Sequence, residues 1–143
     1  MTTDLNIPES VALERRVPTV DEYRLLRERV GWPNGDSNAQ SLGLKNSLYS
    51  VCLLYGDEII GCGRVIGDRG NYFYIQDIIV LPEHQKQGLG MLIMDALMEY
   101  IKNNAKPGSM IALMAAKGVA RFYKRYGFAI READSPGMCF TVE

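Results

Sequence analysis

The chain has 143 residues, 47% hydrophobic and 23% charged, with a formal net charge of −1. That length suits one domain, 1–143, with a sizeable core, and the composition is that of a globular chain rather than a disordered one. Without a basic surplus there is little to attract a nucleic acid, and no run approaches the roughly 20 apolar residues of a membrane-spanning helix.

The expected elements are these, in chain order. "SVALERRVP" forms a first strand ending at Pro18. Thr19 and Glu22 make the capping box T-x-x-E, and Tyr23, Leu25, Leu26 and Val30 recur at helical spacing, so a helix covers about 20–30. "GWPNGDSN" is turn chemistry, with a short helix after it near 37–44. Strands near 48–55 and 58–66 form a hairpin about Gly56-Asp57. "YFYIQDIIVL" is a long strand with few charges, as expected where both faces are covered. A helix over 88–104 carries Leu89, Leu92, Ile93, Ala96, Leu97, Tyr100 and Ile101 on one stripe. "MIALMA" is a strand, "KGVARFYKRY" a helix ended by Gly127, and "FAIRE" and "GMCFTVE" final short strands. This order predicts a mixed α/β fold with helices on a sheet.

Cys52, Cys62 and Cys139 form no CxxC pair and have no metal spacing with His84, the single histidine. They read as reduced, buried thiols, and no metal is expected. The opening "MTTDLNIPES" has no basic-then-apolar leader, so the expected location is the cytoplasm.

The connection "LPEHQKQGLG" carries the chemistry. It joins a buried strand to a helix through Gly88 and Gly90. The first N–H groups of a helix have no internal partner, its dipole favours an anion there, and glycine lets the backbone approach a phosphate closely. Gln85 to Gly90 can therefore cradle a pyrophosphate, with Lys86 as a cation at the rim. The other reading is a plain glycine-rich connection. The spacing is neither a P-loop nor G-x-G-x-x-G.

"VLPEHQKQGLG" resembles the central motif of the GNAT acetyltransferase superfamily, a strand followed by [QR]-x-x-G-x-[GA] and a helix. "ARFYKRYGF" resembles that family's second signature, and the element order matches over nearly the whole chain. The resemblance implies a mostly antiparallel sheet flanked by helices and split between the central strand and the one after it. It also implies acetyl-CoA as donor and an amine as acceptor. By the same resemblance, main-chain N–H groups of Gln85, Lys86, Gln87, Gly88, Leu89 and Gly90 bind the donor's pyrophosphate. The donor's arm pairs with the main chain of Ile78, Ile79 and Val80, one of whose N–H groups polarises the thioester carbonyl. The side chains of those three are core in either case.

Tyr123 matches the family's general acid, which protonates the leaving thiolate; its other reading is a helix-core aromatic, like Phe122, Tyr126 and Phe128. The positions matching the family's base are Tyr74 and Gln76, neither a normal base, so a water relay held by those two is expected. Alternation along the strand sets Asp77 on the opposite face from them. Ala116 stands where many members have a cofactor-contacting Asn. Trp32 and the 31–46 loop lie where the family closes over its acceptor, and Arg64 with Asp68 reads as a surface pair or an acceptor contact. His84 reads as an exposed turn residue. The expected function is acetyl transfer from acetyl-CoA to the primary amine of a small molecule by direct attack. The alternatives are a non-catalytic acyl-CoA-binding module, a longer acyl donor, or a protein or peptide amine as acceptor. A monomer or homodimer is expected.

Overall fold

The computed structural model describes residue 8 and residues 10–143. These fall into two compact units, one reaching Leu113 and one comprising Met114–Glu143.

The first unit is built on a five-stranded sheet in the order β1-β2-β3-β4-β5. Its strands are β1 Val11–Glu14, β2 Tyr49–Tyr55, β3 Glu58–Gly67, β4 Tyr72–Val80 and β5 Met110–Ala112. The first four pair antiparallel and β5 joins β4 in parallel. Strand β1 stops four residues before Pro18, where the Arg16 main-chain N–H turns back to the Glu14 carbonyl at 3.2 Å.

Helix α1, Val20–Arg29, begins at Thr19 as its sequence predicts. Thr19 Oγ1 accepts from the Glu22 N–H at 3.1 Å, and Glu22 Oε1 accepts from the Thr19 N–H at 2.9 Å. Two donors that a helix start leaves open are thus satisfied together. Asp36 caps α2, Ser37–Lys45, in the simpler way, accepting from the Ala39 N–H. Helix α3, Leu89–Asn104, buries Leu89, Ile93, Met94, Leu97 and Ile101. Tyr100, on the flank of this stripe, stacks on Tyr49 of β2 at 4.9 Å.

Helices α3 and α1 lie on opposite faces of the sheet. Adjacent residues of β3 show this: the backbone of Gly63 is overlain by Ile93 and Leu97 of α3, while Arg64 points to the side of α1. Gly63 is glycine for a steric reason. A Cβ there would stand 2.5 Å from Ile93 Cγ2 and 2.8 Å from Ile78 Cδ1, so its absence is what lets α3 approach.

Strand β4 departs from simple alternation. Arg64 pairs with Gln76 and Cys62 with Ile79, so Gly63 alone faces both Asp77 and Ile78. This two-against-one arrangement is a β-bulge, and Asp77 takes the left-handed φ of 60° within it. On its other side β4 pairs only from Tyr72 to Tyr74, against Met110 to Ala112. From Ile75 to Val80 that edge has no strand partner among the described residues. This is the split expected after the central strand.

In the second unit the expected helix over 117–126 is shorter, α4 Ala120–Lys124. Gly118, at φ 83°, keeps the chain out of helical geometry just before it. After it the main chain tightens, Tyr126 N–H bonding the Tyr123 carbonyl and Gly127 N–H that of Lys124. Neither "FAIRE" nor "GMCFTVE" is a strand. Glu132 to Ser135 form a turn closed by the Ser135 N–H on the Glu132 carbonyl, and Met138, Phe140 and Val142 stand exposed. Their alternation has the period of a strand, but a strand forms only where a neighbour supplies its ladder. "MIALMA" likewise pairs only as far as Ala112.

Candidate active site

The open edge of β4 leads directly into the glycine turn. Leu81 N–H bonds the Ile60 carbonyl at 2.9 Å and ends the ladder. Pro82–His84 then makes one 3₁₀ turn. Gln85 braces the start of the glycine turn: its Nε2 donates to the Val80 carbonyl at 2.9 Å, and its main-chain N–H to that of Pro82. That N–H is therefore engaged, unlike those of the next residues.

Lys86 at φ 65° and Gly88 at φ 83° flank Gln87. Left-handed residues set among others turn successive N–H groups toward one side, making an anion nest. Gly88 caps α3 with no side-chain hydrogen bond, and the first internal bond of the helix runs from Leu92 to Gly88. The N–H groups of Lys86, Gln87, Gly88, Leu89 and Gly90 have no partner among the described residues. Gln87 Oε1 is buried without a hydrogen bond as well. Converging free donors at the start of a 16-residue helix, with a lysine at the rim, suit a pyrophosphate; so the residues present fit coenzyme A, whose hydroxyls and amides are also donors for an orphan oxygen such as Gln87 Oε1. Of the three residues upstream, Ile79 is buried while Ile78 and Val80 are half-buried. Their side chains pack, leaving the main chain of the free edge as what they offer a ligand.

Tyr74 and Gln76 lie on the α1 side of β4, opposite Ile66 and Arg64 of β3. Tyr74 also faces Ala112, on the last rung before the split. Contrary to simple alternation, Asp77 shares their face. Gln76 Nε2 donates to Asp77 Oδ1 at 3.1 Å. The bulge is the physical reason, since one extra residue reverses the order of side chains along the strand.

Asp77 is the site feature that alternation along the strand misplaces. Its side chain is 1% exposed and ion-paired to both Arg27 of α1, at 3.2 Å, and Arg64 of β3, at 2.9 Å. Tyr23 Oη donates to the same carboxylate at 2.8 Å. Two donors reach each oxygen, which satisfies a carboxylate. Burial, and then the Asp77 charge, push the Tyr23 phenol up to about 12. Arg64 also ties Gly43 and Ser47 to the cluster, while Arg27 holds the Pro33 carbonyl and lies over the Trp32 ring. A charge within an otherwise apolar strand was the available signal, because a buried carboxylate needs a counter-charge.

Arg64 accordingly does not pair with Asp68, whose carboxylate accepts from the N–H groups of Gly70, Asn71 and Tyr72. The turn residue His84 lies beside the Tyr55 ring. Cys52 and Cys62 are buried, and burial raises the Cys52 thiol to about 11, whereas Cys139 is exposed on the unpaired tail. Tyr123, in the second unit, is buried on α4, edge-on to Phe122 and Phe128. Burial raises its phenol above the ordinary value.

Among known proteins, the family model of the acetyltransferase (GNAT) domain matches residues 47–130. The chain is 33% identical over 132 residues to the histone acetyltransferase TAP1 of Glycine max, covering 83% of this chain and 55% of that protein. It is 31% identical over 142 residues to the chloroplastic GCN5-related N-acetyltransferase 2 of Arabidopsis thaliana, covering 83% and 53%. This chain thus spans about half the length of these two relatives. Among solved structures, it resembles a protein of unknown function from meticillin-resistant Staphylococcus aureus described as a probable acetyltransferase. The TM-score is 0.87 at 39% identity, over 92% of this chain and 99% of that one. A GNAT family acetyltransferase from Streptococcus pneumoniae gives a TM-score of 0.74 at 25% identity, over 93% and 98%. With its open central strand, its glycine turn and these matches, the chain belongs to the GNAT acetyltransferase family.

Proposed function

We propose that the chain transfers the acetyl group of acetyl-CoA to the primary amine of a small molecule by direct attack. The observation that carries this reading is the continuity of the free β4 edge with a turn of unpartnered N–H groups. One part suits the extended arm of the donor and the other its pyrophosphate.

The amine nitrogen attacks the thioester carbonyl, and the charge that develops on oxygen is met by a main-chain N–H of Ile78, Ile79 or Val80. The nitrogen then loses a proton to water held by Tyr74 and Gln76. An alkylamine with a pKa of about 10.4 is free base only about once in a few thousand molecules at pH 7, so removal of its proton must be assisted. Collapse breaks the C–S bond, and the thiolate takes the Tyr123 proton. Burial raises this phenol, so Tyr123 carries its proton at neutral pH.

A protein amine is the second reading. It is favoured by the relative named a histone acetyltransferase, over the part of that protein which this chain spans. CoA release measured with a panel of small amines and with a lysine peptide separates the two, and release with neither points to a binding module. The donor site is tested by Gly88→Glu. A carboxylate in the cradle should abolish calorimetric CoA binding while circular dichroism stays unchanged; full affinity in the folded variant would remove this turn from the site.

A further inference from the structure

The orientation of Gln76 is set by Asp77. The Asp77 carboxylate is buried and surrounded by donors, so the Gln76 amide must turn its nitrogen toward it. The opposite orientation would set the amide oxygen against an anionic oxygen. This leaves Gln76 Oε1 directed away from the cluster. It has no hydrogen-bond partner among the described residues and is not among the buried polar atoms. Gln76 is half-buried and lies in the stretch of β4 whose edge is free. The bulge puts Gln76 and Asp77 on one face, and without it their side chains would not meet.

We infer that Gln76 Oε1 is the group that receives an N–H of the acceptor amine, and that Asp77 is a positioning residue which fixes this amide with its oxygen outward. The inference rests on the acetyl-transfer reading above. An exposed carbonyl oxygen accepts hydrogen bonds and cannot donate them. The reacting end of the acceptor is therefore an amine or ammonium that donates to it, with no carboxylate or phosphate beside the nitrogen. Gln76 takes no proton; it orients the nitrogen, and the proton leaves through water.

Steady-state kinetics with n-butylamine at saturating acetyl-CoA test this, since that amine offers no other polar group. Gln76→Leu keeps the bulk and removes the oxygen, together with the Nε2 donor to Asp77. It should raise the KM for n-butylamine about tenfold, the loss of one hydrogen bond to a charged group, and leave the KM for acetyl-CoA unchanged. Asp77→Asn lets the Gln76 amide turn either way and should raise the amine KM about threefold, a fraction of that effect. In the double variant the second change should add nothing, because Asp77 acts through Gln76. Additive effects would show Asp77 to be purely structural and overturn the positioning role. A normal amine KM in folded Gln76→Leu, which keeps both arginine partners of Asp77 and removes one of the four donors to its carboxylate, overturns the inference by itself. Where n-butylamine is not turned over, the best amine of the panel takes its place; wild-type protein that releases no CoA with any small amine or with the lysine peptide refutes the acetyl-transfer reading, and the inference with it.

Discussion

Arg64 Nε lies 2.9 Å from Asp77 Oδ2, and the carboxylate it holds belongs to a residue at φ 60°. The pair joins β3 to a strained position of β4. A non-glycine residue in that conformation costs roughly 1–3 kcal/mol and persists only where its surroundings over-determine it. Here Arg27, Arg64, Tyr23 and Gln76 do so.

Asp77→Ala should be strongly destabilising. It leaves two guanidinium groups, 18% and 14% exposed, without their counter-charge and keeps the backbone strain. Breaking a buried pair from one side typically costs about 3–5 kcal/mol. Urea unfolding beside the wild type measures this, and a loss below about 1 kcal/mol would show that the cluster does not hold the bulge.

Gly63→Ala tests the approach of α3. The added methyl meets Ile93 and Ile78 at less than contact distance, and overpacking of this kind costs about 1–3 kcal/mol. Ile93→Leu moves the branch off Cβ and so removes the Cγ2 methyl that the new Cβ would meet. The double variant should be more stable than the sum of the single losses predicts, read from thermal or urea unfolding. Strict additivity would mean that α3 shifts freely and that Gly63 does not set its distance.

Tyr123→Phe separates chemistry from packing. If Tyr123 donates the proton, kcat should fall about 10²–10⁴-fold, while acetyl-CoA affinity and the melting temperature change little. A structural tyrosine gives the reverse, a lower melting temperature with nearly normal kcat. A loss near tenfold would mean that the hydroxyl places the sulfur without protonating it.

Glu22 should contribute to acid lability. Its carboxyl is held below the ordinary range chiefly by the hydrogen bond from Arg16, against the opposing effect of burial. A carboxyl depressed in the folded state stabilises above its unfolded pKa of about 4.3, and that contribution is lost as pH falls through the folded value. Stability should therefore drop as acid is added below about pH 4, and less steeply in Glu22→Gln. Urea midpoints of both proteins at neutral and acid pH supply the comparison. Parallel curves would remove Glu22 from the acid response.

Local features of this protein are legible in its sequence. Thr19 and Glu22 specify the start of α1 because both partners of the capping box lie within one turn of chain. The glycine turn is legible for the same reason, since its strand, Gly88 and the apolar stripe of α3 are contiguous. The order of elements up to β5 comes from periodicity, which a single segment carries. Whatever needs a partner distant in sequence is settled only by the tertiary structure. Gly63 is explained by Ile78 and Ile93, 15 and 30 positions further along the chain. "GMCFTVE" alternates like a strand yet has no ladder, because hydrogen bonds between strands are not encoded in one of them. Asp77 shows the limit most clearly. Alternation sets it apart from Gln76, but one extra residue against Gly63 brings the two together and places the carboxylate between arginines 50 and 13 positions away. A bulge is a mismatch between two strands, so neither strand read alone contains it.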